Sequence, residues 1–297
     1  MKKFFLLLAV LVHGSSMVAR AQSDKDLAIL RNQSLIVVLK DEEPDKLKKL
    51  AKKPAGLTAY KSFITRYNAL IQELAPLIWR FSPSVEFKHE SEITALAKDK
   101  NYQHGVLKHD DFTVMEHLGG GAARGGAIYS AEARTAFLLS ITSNGKQRMI
   151  APVPIAPGVV YTSDIIFCLK TLQYQLQERA SGKSQMAENG KRLRSKTLLF
   201  DEAEINGKLS AADIKQVYPF PFQIVPREAI ETAVQGADVR YVCVRIFPVS
   251  DGMTAQVIMD PTDGAMLAMS MGGMGLKSGN VVNKGNLKDF AQAGGGK

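Results

Sequence analysis

The chain is 297 residues long, with 45% hydrophobic and 23% charged residues and a formal net charge of +9. This composition can bury a core, and it excludes intrinsic disorder, collagen and a coiled coil as the main architecture. At roughly 150 residues per domain, the length allows one large or two medium domains.

Lys2 and Lys3 precede an apolar stretch over residues 4–12, and Ala19-Arg20-Ala21 places small residues around a cleavage position. Residues 1–21 are therefore expected to be a secretory signal peptide cut after Ala21. Its apolar stretch falls well short of the roughly 20 residues that span a bilayer. With no Cys near the cut and no later long apolar stretch, a lipid anchor and a transmembrane segment are not expected. The expectation is an exported protein of the periplasm or outer-membrane periphery. Cleavage removes Lys2, Lys3 and Arg20 and no acid, which lowers the charge from +9 to +6. The lysines of residues 40–53 and the cluster Lys191-Arg192-Leu193-Arg194 read as solvated faces. No aromatic residues interleave with the charge, so nucleic acid is not an expected partner, while an anionic surface stays open.

In chain order, the apolar run Leu35–Leu39 predicts a buried strand. Apolar positions from Leu57 through Ile78 recur at helical spacing, with Pro76 ending or kinking the helix. Residues 85–87 alternate as a strand, 91–98 suit a short helix and 102–108 a further strand. The glycine-rich residues 119–126 then read as a connector before a hairpin over 135–155 that turns at Asn144-Gly145. A capped amphipathic helix is expected over 162–179, followed by a polar linker over 181–194. Strands are expected at 197–200, 222–225, 239–247, 254–259 and 265–271, with helices at 210–217 and 227–234. Asp260-Pro261-Thr262-Asp263-Gly264 suits a tight turn between the last two strands.

The second series repeats the first. Leu30-Arg31 before SLIVVL corresponds to Leu193-Arg194 before KTLLF, an offset of 163, while Val85 corresponds to Phe222, an offset of 137. The difference of 26 residues falls in the first copy's long helix region. A period this long indicates two similar domains rather than a solenoid. The expected fold class is α/β with mixed α+β sheets, as two similar three-layer-like domains from an internal duplication. Residues 22–180 would form the first domain, carrying the long helix insertion. Residues 195–297 would form the second, ending in a weakly ordered C-terminal tail.

Candidate chemistry is sparse. Gly182-Lys183-Ser184 lacks the first glycine of a phosphate loop, since Gln177 stands there, and it follows a helix rather than a strand. Residues 119–126 lack dinucleotide-fingerprint spacing. His104, His109 and His117, with Asp110, Asp111 and Glu116, have metal-ligand chemistry but no compact spacing. Met266, Met269, Met271 and Met274 are soft thioethers that suit Cu(I). On an uninterrupted strand Met266 and Met269 would face opposite ways, so core packing is the plainer reading. Asp201-Glu202 and Asp260 with Asp263 read as surface acids at strand ends or turns. Cys168 and Cys243 read as buried thiols, with one disulfide left open. No catalytic residue, metal site or cofactor is assigned.

In the second half, Phe222, Val225 and Arg227 are followed by Gly236-Ala237-Asp238 before a long strand and by Asp263-Gly264 in the hairpin. With this pattern the second half resembles the periplasmic α/β domain shared by the curli-secretion channel lipoproteins, the lipoprotein activators of penicillin-binding proteins and the amino-terminal domain of the TolB translocation protein. The chain departs from that group in lacking a lipid-accepting Cys, in having two copies and in showing no clear transmembrane β-hairpins. The resemblance implies an envelope protein that binds other proteins and has no catalytic residues. The expected function is thus a non-enzymatic envelope or secretion-machinery component, a protein-binding scaffold. A small-ligand or soft-metal binding protein is the alternative, and an envelope-polymer hydrolase comes third.

Overall fold

The computed structural model describes residues 20–99, 101–117, 129–155, 160–250, 253–271 and 281–296. The expected leader lies outside these residues except for Arg20 and Ala21, which open α1 (Arg20–Asn32). There follow β1 (Leu35–Leu39), α2 (Pro44–Leu50), α3 (Pro54–Ile78), β2 (Val85–His89), α4 (Glu90–Leu96), β3 (His104–His117), β4 (Tyr129–Ser143), β5 (Lys146–Pro154) and α5 (Thr162–Ser181). The apolar LIVVL run of β1 suits a central parallel strand buried on both faces. It pairs in parallel with β2, Leu35 opposite Val85, and with β3, Leu35 opposite Gly105. Antiparallel β4 and β5 complete a sheet of order β2-β1-β3-β4-β5.

After α6 (Met186–Gly190) and a 3₁₀ turn over Lys191–Arg194 come β6 (Thr197–Asp201), α7 (Ala211–Val217), β7 (Phe222–Val225) and α8 (Arg227–Gln235). The chain closes with β8 (Tyr241–Ser250), β9 (Met253–Met259), β10 (Met266–Met271) and α9 (Lys284–Ala293). Here β6 lies parallel to β7 and β8, while β9 and β10 follow antiparallel, giving the order β7-β6-β8-β9-β10. The protein is therefore mixed α/β with two five-stranded mixed sheets. The order and sense of pairing in the second sheet are those of the first.

Alternation along β6 divides the second sheet's two faces. Leu198 and Phe200 enter a core with Ile214 and Tyr218 near α7 and with Leu287 and Phe290 of α9. Leu199 enters a larger core that also holds Leu35 and Val37 of β1, Tyr67 and Ile71 of α3, Phe137 of β4 and Ile230 of α8. Helix α5 runs through that larger core, burying Ile165, Ile166, Phe167, Cys168, Leu169 and Leu172. Each fully buried aliphatic or aromatic side chain contributes about 1.5–3 kcal/mol relative to exposure. The halves thus share apolar burial through α5, which ends at Gly182 in the left-handed conformation. That conformation explains the glycine of Gly182-Lys183-Ser184 as a helix cap.

Three expectations need correction. Residues 181–194, expected as a linker, hold helical turns in which Leu193 is fully buried, and Arg194 Nε donates to Gly294 O at 2.7 Å. The tail expected to be weakly ordered contains α9, whose Leu287 and Phe290 are fully buried and whose N-cap is the Asn283 side chain. The strand expected over 102–108 extends to His117 and pairs with β4 as far as Tyr129, so the glycine-rich run lies between two paired strands. The run itself lies outside the described residues. The Asn144-Gly145 turn stands as expected, with φ of 53° and 72°.

Candidate functional site

A polar constellation lies beyond the carboxyl ends of β6 and β7, where open α/β sheets place their binding sites. Asp201 closes β6, Glu204 follows it, and Arg227 opens α8 directly after β7 and Pro226. Arg227 Nε reaches Asp201 Oδ2 at 2.7 Å, and its terminal nitrogen bonds Glu204. The guanidinium carbon lies 5.5 Å from the ring centre of Tyr161, within cation–π range. Burial is the main cause that raises the Glu204 carboxyl above its ordinary range.

Behind this rim, α5 brings its first turn against the second sheet. Glu231 of α8 accepts Ser163 N–H at 2.9 Å and the Ser163 hydroxyl at 2.5 Å, which satisfies amide and hydroxyl at a helix N-terminus. Arg245 of β8 donates to Ser163 Oγ at 3.0 Å and pairs with Asp164. Asp164 also accepts the Tyr161 amide at 2.7 Å. Arg245 is buried, and burial lowers its guanidinium to about 10. Ser163, 1% exposed and held between a carboxylate and a guanidinium, is a strut between the halves rather than a nucleophile.

The sequence-derived candidates fall elsewhere. The His109 ring is buried beside Phe63, Tyr67 and Phe137, with centroids 6.0, 5.2 and 5.1 Å away, and neither ring nitrogen has a hydrogen-bond partner. Burial is the main cause that lowers its imidazole to about 3. His104 lies next to the Tyr102 ring, with Nδ1 3.3 Å from Ser34 O, on the other face of β3. His117 pairs by its backbone with Tyr129, and its side chain lies outside the described residues, as do those of Asp111 and Glu116. No group of three His, Cys, Asp or Glu among the described residues is placed to hold a metal.

The acids read as surface groups are not all so. Asp201 is buried against Arg227, and Asp260 is fully buried, pairing with Arg192 and, at 2.5 Å, with Lys196. Thr262 donates its amide and hydroxyl to the same Asp260 carboxylate at 3.0 and 2.6 Å. Cys168 and Cys243 are free and buried, and burial pushes both thiols up, Cys243 to about 12. Met274 lies outside the described residues. A bulge between Met266 and Ala268 corrects the expected facing of the methionines. Met266 lies opposite Met259 and Met269 opposite Val257, so Met266, Met269 and Met271 share one face.

Sequence reading missed Arg245, Glu231 and Ser163. The available signal was Arg245 itself, a cation at the same parity as inward Cys243 on a long alternating strand. No family model, curated protein or solved structure matches the chain.

Proposed function

We propose that this chain is an exported, non-enzymatic component of a cell envelope that works by binding another protein. The supporting observation is the accessible rim of the polar constellation. Tyr161 is 37% exposed and lies beside Arg227, and both residue types are enriched where binding energy concentrates. Ion pairs from Asp201 and Glu204 hold Arg227 beneath it, so little side-chain freedom is lost when a partner docks. Next to this rim, β7 ends the second sheet and exposes Ile224, the arrangement that strand addition uses. The resemblance to protein-binding envelope domains and the expected leader favour the same reading.

The test is crosslinked recovery of partners from the native envelope with tagged wild-type protein and with Tyr161→Ala and Ile224→Asp variants of equal stability. Recovery of one defined protein, reduced at least tenfold by either substitution, is expected. Equal recovery by all three proteins, or a repeatable blank, contradicts the reading.

A further inference from the structure

The bulge in β10 has a chemical result. Leu267 and Ala268 both enter the core next to α7 and α9, so the thioethers on either side of them turn to the opposite face. Residues directly opposite on antiparallel strands share a face, with Cβ atoms about 4.5–5.5 Å apart. Cys243 is opposite Met259, and Met259 is opposite Met266, so three sulfur residues form a row across β8, β9 and β10. Met269 stands one pleat repeat, about 7 Å, along β10 from Met266 on that face.

Burial differs along the row. Met259 is buried in the larger core, whereas Met266, Met269 and Met271 are half-buried and belong to neither apolar cluster. Core packing therefore does not account for them. Met259, Met266 and Met269 thus occupy three neighbouring positions on one sheet face, a spacing that long, unbranched thioether side chains can span. Solvent reaches two of the three, the half-buried Met266 and Met269.

We propose that Met259, Met266 and Met269 form a thioether site for a soft monovalent cation of the Cu(I) or Ag(I) class. Neutral, polarizable sulfur favours such ions and disfavours Zn(II), Mg(II) and Ca(II). Cys243 lies next in the row but is buried on the far side of Met259 from Met266, so the three thioethers carry the site. Met271, opposite Ala255, lies one repeat further away. The site is independent of the docking reading, since no residue is common to the two.

The test is an anaerobic titration of the purified mature chain with Cu(I) in competition with bicinchoninate, repeated with Ag(I) and Zn(II) alone. One equivalent of Cu(I) is expected to leave the indicator, with no Zn(II) binding. A Met266→Leu/Met269→Leu variant, near-isosteric and half-buried at both positions, is expected to keep its thermal midpoint and lose affinity at least 100-fold. Met269→Leu alone should give a partial loss, and keeps the test decisive should the double variant fold poorly. Retention of all Cu(I) by the indicator overturns the site, as does unchanged affinity in the folded variants.

Discussion

Glu231 of α8 accepts both the amide and the hydroxyl of Ser163 in the first turn of α5, at 2.9 and 2.5 Å. A helix from the first half is thus capped by a carboxylate from the second, 68 residues later in sequence. Arg245 ties the same turn to β8 through Ser163 and Asp164. Burial of the apolar side of α5 brings the halves together, and this polar joint fixes their registration.

Arg245 and Asp164 are both buried, so removing one leaves the other charge without its partner. Asp164→Ala is expected to cost about 3–5 kcal/mol in urea unfolding. Replacing the pair together, as Asp164→Leu with Arg245→Met, should recover most of that loss. A cost below about 1 kcal/mol for the single change would contradict the joint.

The His109 imidazole is lowered to about 3, whereas an unfolded imidazole titrates near 6.5. The unfolded chain therefore binds the extra proton first. The contribution to stability is complete above about pH 6.5 and falls as pH drops towards 3. At pH 5 the loss should be about 2 kcal/mol relative to pH 7.5. His109→Leu should remove this component from the pH dependence of chemical unfolding; an unchanged acid limb would show that other groups carry it.

Gly264 and Gly145 both have positive φ, 80° and 72°. A Cβ at Gly145 would have its nearest neighbour, Ala97 O, at 3.5 Å, whereas at Gly264 it would collide with the backbone of Lys170 and Thr171. Gly145→Ala should cost about 1 kcal/mol from backbone strain alone. Gly264→Ala should cost clearly more, because α5 must move off the hairpin. Equal thermal shifts would remove the close approach as the reason for Gly264.

How far the fold could be read depended on whether the deciding interaction was local. The LIVVL strand and the Asn144-Gly145 turn announce themselves because continuous apolarity and left-handed backbone preferences act within a few residues. Residues 181–194 read as a linker because polar neighbours surround Leu193, whose burial depends on distant β6, β8 and α9 residues. The methionine facing was misread because a bulge shifts the phase by one residue and leaves no trace in periodicity. Asp201 and Asp260 looked like turn acids because their cations come from Arg227, Arg192 and Lys196 elsewhere in the chain. The polar joint was invisible for the same reason, since Arg245 and Ser163 lie 82 residues apart.

The most direct test of the docking reading is photocrosslinking in the native envelope from a benzoylphenylalanine placed singly at Tyr161, Ile224, Leu77 or Val239. Leu77 and Val239, 64% and 69% exposed, are more accessible than Tyr161 and Ile224, at 37% and 38%, so random encounter favours the first two. A single defined adduct from positions 161 and 224, absent from 77 and 239, is the predicted result. Adducts that follow exposure, or none from 161 and 224, would contradict a docking surface at the Tyr161–Arg227 rim.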